Sequence, residues 1–185
     1  MLKKTVKHWQ PAALALLFAF GVVACNDVTD DPKISDNLVS LSGFAPLSAC
    51  VDIDGELIDT TGDGTLDTSV FTSVVQSAGF DSRIRGTSSS GFNDVIFTSV
   101  DISYELTGAP MGVPAPRTET ITVTVPAGGS ASVPVTSVLA GDVVAGFFDL
   151  ATRGNVLMTF RGADVTGEPA SATGRSPLET ANICN

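Results

Sequence analysis

The sequence predicts an all-β domain in which antiparallel strands pack as a sandwich. Apolar and polar residues alternate with a period of two through much of the second half of the chain, as in strands with one buried face. Glycine and proline mark the junctions at 108–116, 126–129 and 162–169. Because each strand has one apolar face to bury, several short strands in close succession predict two packed sheets.

Four segments carry this alternation, and each is predicted to be a strand. Pro134 falls on the outward face of its segment, which predicts an edge strand because proline cannot donate to a neighbouring strand. The residues predicted to point inward are Ile96, Thr98, Val100, Ile102, Tyr104, Leu106, Ile121, Val123, Val125, Ala131, Val133, Val135, Val156, Met158 and Phe160.

Two other segments do not show the strand pattern. The segment 140–151 places Val143, Phe147 and Leu150 at helical spacing, with Asp142 as the expected N-cap, and predicts one short connecting helix. The segment 69–80 fits either a helix or a strand rich in Thr, Ser and Val.

The first 24 residues have the features of an export signal. Lys3, Lys4 and Lys7 precede an apolar run from Pro11 to Val23 that is too short to span a bilayer comfortably. The chain then continues as an acidic, non-periodic tether over residues 25–37 and a domain over residues 38–185, a common size for one domain.

The signal ends in Val22-Val23-Ala24-Cys25, which resembles the lipobox of bacterial lipoproteins. The resemblance implies cleavage before Cys25, a diacylglycerol on its sulfur and a further acyl chain, such as palmitate, on its new amine. Two acyl chains are enough for stable attachment to membrane lipid. Asn26, where an aspartate would signal inner-membrane retention, favours the outer membrane. The alternative is a simple secretory signal cut after Ala24.

The composition after the signal excludes several functions. All 20 Asp and Glu follow Cys25 but only seven of the ten Lys and Arg do, which leaves a formal net charge of −13. A surface this acidic repels nucleic acid and anionic head groups. His8 and Trp9, the only ones of their kind, lie in the signal, so catalysis by a Ser-His-Asp or Cys-His site is excluded. A carboxylate-dependent hydrolase, using for instance Asp101 and Glu105, is a remote alternative.

Cys50 and Cys184 remain once Cys25 is assigned to the lipid. An even pair in an oxidising compartment predicts a disulfide bond. The bond would close a loop of about 130 residues and hold the C-terminus against the domain. The alternative is two reduced, buried cysteines.

The later strands also carry a family resemblance. The segment YELTG and the stretch TRGNVLMTFRGADVTGEPASATG include a strand, a D-x-x-G turn from Asp164 to Gly167 and a final strand. This order resembles the closing strands of bacterial immunoglobulin- and fibronectin-III-like domains. It implies a single immunoglobulin-like antiparallel β-sandwich with one short connecting helix. Since no Trp follows the signal, an antibody-type domain is excluded.

The stretch DTTGDGTLDT, residues 59–68, resembles the first part of EF-hand, dockerin and thrombospondin-type calcium loops. Carboxylates closely spaced on a glycine-hinged loop are the oxygen ligands that calcium prefers. The residues implied as ligands are Asp59, Thr61, Asp63, Thr65 through its carbonyl, and Asp67, with Asp52 or Asp54 folding back to complete the shell.

A β-hairpin is the alternative for the same residues. Val70 stands where the calcium loop requires its bidentate Glu, and Asp63-Gly64 is a strong type I′ turn signal between the short strands ELID and TLDT. The exposed aspartates would then serve solubility alone.

Taken together, these features predict a membrane-anchored, non-enzymatic lipoprotein that acts as a structural or interaction module of the bacterial cell envelope. The alternative is a calcium-dependent module that binds carbohydrate or matrix. The sequence indicates a protein or carbohydrate partner without identifying it.

Overall fold

The computed structural model describes residues 37–84, 94–182 and 184, all within the unit Lys33–Asn185. The predicted signal, Cys25 and the tether up to residue 36 lie outside the described residues. The ten strands are β1 Asn37–Ala45, β2 Ala49–Asp52, β3 Glu56–Ile58, β4 Thr68–Val70, β5 Val74–Ile84, β6 Val95–Thr107, β7 Arg117–Val125, β8 Ser130–Val138, β9 Arg153–Asp164 and β10 Pro169–Ala181. Within these described residues there is one helix, α1, which covers Ala140–Val144.

The strands form three sheets, which confirms the all-β class. The first sheet has the order β1-β5-β8, the second β2-β10-β9-β6-β7, and the third is the hairpin β3-β4. All pairings are antiparallel except that of β2 with β10, which is parallel. The five-stranded sheet is curled into a half-barrel.

Apolar side chains of the first two sheets meet in one shared core. Phe80 of β5 stacks on Phe97 of β6 with ring centroids 5.0 Å apart, and meets the edge of Phe160 of β9 at 4.8 Å. All three rings are fully buried. Such contacts join the two sheets because each ring leaves water only by packing against the opposite sheet.

Most predicted inward positions are confirmed. The inward-pointing residues predicted for β7, β8 and β9 are buried or, at Ala131, half-buried, and Pro134 lies exposed on β8, an edge strand. Residues 69–80, left open between helix and strand, contain the last two residues of β4 and the first seven of β5.

The predictions for Ile96 and Thr98 are wrong. A bulge between Phe97 and Ser99 shifts the register, so Val95 and Phe97 are buried on the same face as Val100, while Thr98 is exposed. A bulge places two residues opposite one and so reverses which side chains face the core.

Gly162 of β9 faces this bulge. A Cβ atom at Gly162 would collide with the carbonyl oxygen of Ile96, so the close approach of the two strands requires glycine here.

The predicted helix is present but short, ending at Val144 rather than near residue 151. Leu139 occupies the N-cap position and makes no side-chain capping bond, so the prediction of Asp142 as N-cap is wrong. Asp142 lies in the first turn, where its negative charge faces the positive end of the helix dipole.

The domain has two opposite ends, which the register of the strands defines. We call the end formed by loops 46–48, 53–73, 108–116 and 139–152 the tip. The other end, the base, contains Asn37 at the start of β1 and the turns 126–129 and 165–168. Hydrogen bonds from Ala127 N to Asp94 Oδ1 (3.0 Å) and from Val165 N to the Asp94 carbonyl (3.2 Å) join the base turns. The chain therefore enters the domain at the base.

The predicted disulfide between Cys50 and Cys184 is present in the structure. The sulfur atoms of Cys50 and Cys184 are bonded, with Cα atoms 5.8 Å apart and a sequence separation of 134. β2 is paired only with β10 in its sheet, so the bond fixes a short edge strand and the C-terminus to each other.

We predict that a Cys50→Ala, Cys184→Ala protein unfolds with a free energy lower by about 5 kcal/mol, because a crosslink over this length restricts the unfolded chain. Urea unfolding with fluorescence detection of Tyr104, the one tyrosine, measures the change. Reduction of the native protein should lower its midpoint to the same value. An equal midpoint for native and variant proteins would contradict a structural disulfide.

Candidate functional site

The acidic stretch forms the hairpin of β3 and β4. Glu56 pairs with Val70 and Ile58 with Thr68, and Asp67 N donates to the Ile58 carbonyl at 3.0 Å. The predicted hairpin is thus confirmed, but a two-residue turn at Asp63-Gly64 is wrong, because the connection runs from residue 59 to residue 67. Val70, at the position where a calcium loop needs Glu, is part of β4.

Asp59 organises the loop of this hairpin. Its Oδ1 accepts hydrogen bonds from the backbone amides of Thr61 at 3.1 Å and Gly62 at 2.6 Å, and its Oδ2 accepts one from Gly64 N at 2.7 Å. Gly62 and Gly64 have φ of +77° and +85°, which glycine adopts without steric cost. These bonds favour the charged carboxylate and lower the pKa of Asp59, the Gly64 amide contributing most.

Two further aspartates support the same loop. Asp63 Oδ1 accepts from Thr65 N at 2.7 Å, and Asp67 Oδ1 accepts from Thr60 Oγ1 at 2.8 Å and Thr60 N at 3.1 Å. Hydrogen bonding lowers the pKa of both carboxyls, mainly through Thr65 N for Asp63 and the Thr60 hydroxyl for Asp67. The loop carboxylates are therefore acceptors for their own backbone and hydroxyl groups.

The five residues predicted as calcium ligands between Asp59 and Asp67 share one loop, the connection between β3 and β4. Within the described ranges, no three His, Cys, Asp or Glu side chains come together in a group that could hold a metal ion. Asp52 does not fold back toward the loop, because its Oδ1 accepts from Asp54 N and Gly55 N, both at 3.1 Å. Asp54 is exposed.

Asp101 and Glu105, the carboxylates considered for hydrolysis, lie on the outer face of β6 in separate ion pairs. Arg161 Nε lies 2.6 Å from Asp101 Oδ2, and Arg175 Nη2 lies 3.2 Å from Glu105 Oε1. The hydrogen bond from Arg161, followed by that from Thr118, lowers the pKa of Asp101. A carboxyl held in its charged form is poorly suited to act as a general acid.

A cluster around Arg117 was not anticipated from the sequence. Arg117 is half-buried and donates from Nη1 to the Tyr104 hydroxyl at 2.5 Å, while its Nε lies 3.2 Å from Glu119 Oε1. Its Nη2 donates to the Thr136 carbonyl of β8, and the Tyr104 hydroxyl donates to the Ser137 carbonyl at 2.8 Å. Burial raises the pKa of Tyr104. The cluster joins the five-stranded sheet to the edge of the three-stranded sheet.

An open depression of about 310 Å³ lies beside this cluster, lined by Asp101, Ile102, Ser103, Pro116, Arg117 and Thr118. Because Arg117 and Asp101 already have partners within the domain, the depression offers a ligand few uncommitted groups. The Arg117 cluster joins the two sheets at the side of this depression.

The tip has the chemical character of an interaction surface. Fourteen large hydrophobic side chains are exposed among the described residues, and ten of them belong to the tip. These ten are Leu47, Leu57, Ile58, Leu66, Val70, Met111, Val113, Leu139, Val144 and Leu150. The sequence contains a signal for them, since the loops 108–116 and 139–152 are unusually apolar, but periodicity alone does not separate exposed from buried positions.

No protein-family model and no curated protein matches the chain. Among solved structures, a Northeast Structural Genomics Consortium target called SoR45 is similar to it, with 12% sequence identity and a TM-score of 0.40. The match covers 82% of this chain and 92% of that one. So distant a likeness says nothing about function. Within the described ranges, no helix has the length and apolar character needed to cross a membrane.

We predict that Asp59→Ala speeds hydrogen exchange at the amides of Gly62 and Gly64, because both lose their acceptor. Asp63→Ala is the matched control and should affect Thr65 rather than Gly64. NMR-detected exchange measures each amide separately.

Acid should mimic Asp59→Ala in the native protein. Since the folded pKa of Asp59 lies below its ordinary value of 3.8, its carboxylate orders the loop fully above that pH and ceases to do so as the pH falls through the folded pKa. Exchange at Gly62 that is unaffected by Asp59→Ala would contradict this role.

Proposed function

We propose that this protein is a lipid-anchored, non-enzymatic module of the bacterial cell envelope, favouring the outer membrane, whose immunoglobulin-like β-sandwich presents a binding surface. The lipid holds one end of the protein, the disulfide and the core resist unfolding, and the loops contact a partner.

The strand order supports an immunoglobulin-like topology. In such domains the second and fifth strands are neighbours in one sheet, and the third, sixth and seventh form the other. Here β5 and β8 take the places of the second and fifth strands, and β6, β9 and β10 take those of the third, sixth and seventh. β1 takes the place of the first strand, and β7 that of the extra strand C′. The departures are the disulfide, which joins β2 to the C-terminus rather than the two sheets, and the absence of a core Trp.

The observation that carries the proposal is the combination of the lipobox-like sequence before Cys25 with a disulfide-bonded pair in the domain. A disulfide persists in oxidising compartments outside the cytoplasm, which is where a lipoprotein signal directs a chain. The described part of the domain begins at Asn37, so eleven residues, 26–36, separate the acylated cysteine from the base. Fully extended, they would span about 40 Å.

The chemistry of the side chains supports a non-enzymatic role. The chain after the signal has no histidine, and its outer-face carboxylates Asp101 and Glu105 are each paired with a different arginine. The acids of the hairpin accept hydrogen bonds from their own loop. Groups held in this way are poorly placed to exchange protons with a substrate.

We predict that cells grown with radiolabelled palmitate incorporate label into the protein, and that Cys25→Ser abolishes incorporation because the acyl acceptor is lost. Cys50→Ser is the matched control and should remain labelled. Inhibition of the lipoprotein signal peptidase with globomycin should cause an acylated precursor to accumulate. A Cys25→Ser protein that is still acylated would overturn the anchor.

A second candidate is a calcium-dependent module that binds carbohydrate or matrix. It is favoured by the crowding of six carboxylates between Asp52 and Asp67 with no Lys or Arg among them. Calcium binding would require Asp59 and Asp63 to exchange their backbone amides for the ion.

If calcium binds, the thermal midpoint of the purified protein should rise with calcium and fall with excess EDTA, because a ligand that binds only the folded state stabilises it. Asp59→Ala should remove this response. Magnesium at equal ionic strength is the control for screening. An unchanged midpoint would eliminate the calcium candidate, and this is the result we expect from the hydrogen bonding of the loop.

A further inference from the structure

We infer that the tip docks a segment of a protein partner that is rich in Lys or Arg and also carries apolar side chains. The inference deepens the proposed function, on which its cellular setting depends, by identifying the binding surface and the chemistry of its occupant.

Three segments of the tip contact one another. Ala140 N donates to Ser73 Oγ at 3.0 Å, which joins the end of the hairpin segment to the start of α1. Met111 lies against Gly146, where an added Cβ would be 3.8 Å from its Cγ, and Gly108 lies against the Ala151 carbonyl. The loops 53–73, 108–116 and 139–152 are therefore neighbours.

The tip exposes more large apolar side chains than the rest of the described surface. Val144 is 68% exposed, Met111 67% and Leu66 59%, each in a different tip loop. Elsewhere in the described residues, only Leu38, Val75, Ile84 and Val165 are large hydrophobic residues with comparable exposure. Isolated exposed hydrophobic residues are common, but ten gathered at one end indicate an interaction site.

The charge of the tip indicates which kind of partner it would bind. The tip loops contain seven carboxylates and no Lys or Arg. Two arginines border these loops: Arg117, directly after loop 108–116, and Arg153, which donates from Nη1 to the carbonyls of Leu150 and Thr152 at 2.9 and 2.6 Å. With both counted, the tip and its border still have an excess of 7 − 2 = 5 negative charges. A complementary partner therefore carries positive charge, which also accelerates encounter.

The same charge disfavours other occupants. A second copy of this chain brings its own acidic tip, and an anionic membrane surface repels the same carboxylates. The tip is also the end opposite Asn37, the residue at which the described part of the chain begins. A basic protein segment with apolar side chains satisfies both features of the surface.

Photo-crosslinking in intact cells tests this inference with the full-length protein. Benzoylphenylalanine is placed at Leu66, Met111 or Val144 of the tip and, as controls, at Ile84 or Val165 of the base region. We expect protein adducts from the tip positions alone, with Lys or Arg in excess over Asp and Glu in the partner peptide identified by mass spectrometry. Adducts from the control positions alone, adducts to a second copy or to lipid, an acidic partner peptide, or no adduct would each overturn it.

A binding measurement with defined probes gives a second readout. The full-length protein in detergent is titrated with a fluorescent amphipathic peptide of leucine and lysine, and with a leucine-glutamate peptide as the control probe. We expect Leu66→Ser with Val144→Ser to weaken binding of the lysine peptide by about tenfold or more, and Val165→Ser to leave it unchanged.

Charge-neutralising variants separate the electrostatic contribution. Asp54→Asn with Glu56→Gln removes two tip charges whose carboxylates make no hydrogen bond within the described residues, and should weaken binding several-fold at low salt. Asp81→Asn with Glu168→Gln removes two charges near the base and should have no effect. Equal effects of the two pairs, or tighter binding of the glutamate peptide, would overturn the inference.

Failure of this inference is distinguishable from failure of the proposed function. A protein that takes up palmitate at Cys25 but forms no tip adduct overturns the docking surface alone. A protein that binds at the tip but takes up no palmitate overturns the anchor alone.

Discussion

The burial of two apolar sheet faces against each other is the constraint on which the rest of the structure depends. Phe80, Phe97 and Phe160 meet at the centre of this core, and all three exclude water completely. Full burial of one such side chain contributes about 1.5–3 kcal/mol. Because the strands are fixed by their core faces, the loops at either end are free to vary in composition without loss of the fold.

The connections at the two ends of the domain differ in composition. The described part of the base includes the start of β1 at Asn37 and the turns 126–129 and 165–168, each of which has a backbone amide bonded to Asp94. The tip contains ten exposed large apolar side chains and seven carboxylates, with no Lys or Arg in its own segments. Polar groups within the tip are hydrogen-bonded to one another: Asp59 accepts from Gly62 N, and Asp67 accepts from the Thr60 hydroxyl. An ordered loop loses less conformational entropy when it binds, so internal order at the tip favours recognition.

The sequence predicts much of the fold because a period of two survives wherever a strand is regular. Val156, Met158 and Phe160 were predicted as inward from alternation alone, and all are fully buried. The predictions for Ile96 and Thr98 are wrong because a bulge inserts one residue into the strand. The position of a bulge cannot be predicted from the alternation of apolar and polar residues. The need for glycine at Gly162 depends on the neighbouring strand, because a Cβ there would collide with the Ile96 carbonyl oxygen. The sequence of β9 alone does not contain this information.

The candidate sites were less predictable, because they depend on where carboxylates point. Calcium-loop spacing and a hairpin loop require the same aspartates and glycines. They differ only in whether Asp59 faces an ion or the amides of Gly62 and Gly64. The Arg117 cluster was missed since its acceptors include the carbonyls of Thr136 and Ser137, and a carbonyl is present in every residue.

The central claim is that a disulfide-bonded β domain is held at the membrane through acylated Cys25. Mass spectrometry of the protein purified from membranes tests this most directly, on the N-terminal tryptic peptide that ends at Lys33. The account predicts a peptide that begins at Cys25 and carries a diacylglyceryl group with a further acyl chain. A peptide that begins at Cys25 with a free thiol and a free amine, or one that extends N-terminal to it, would contradict the account.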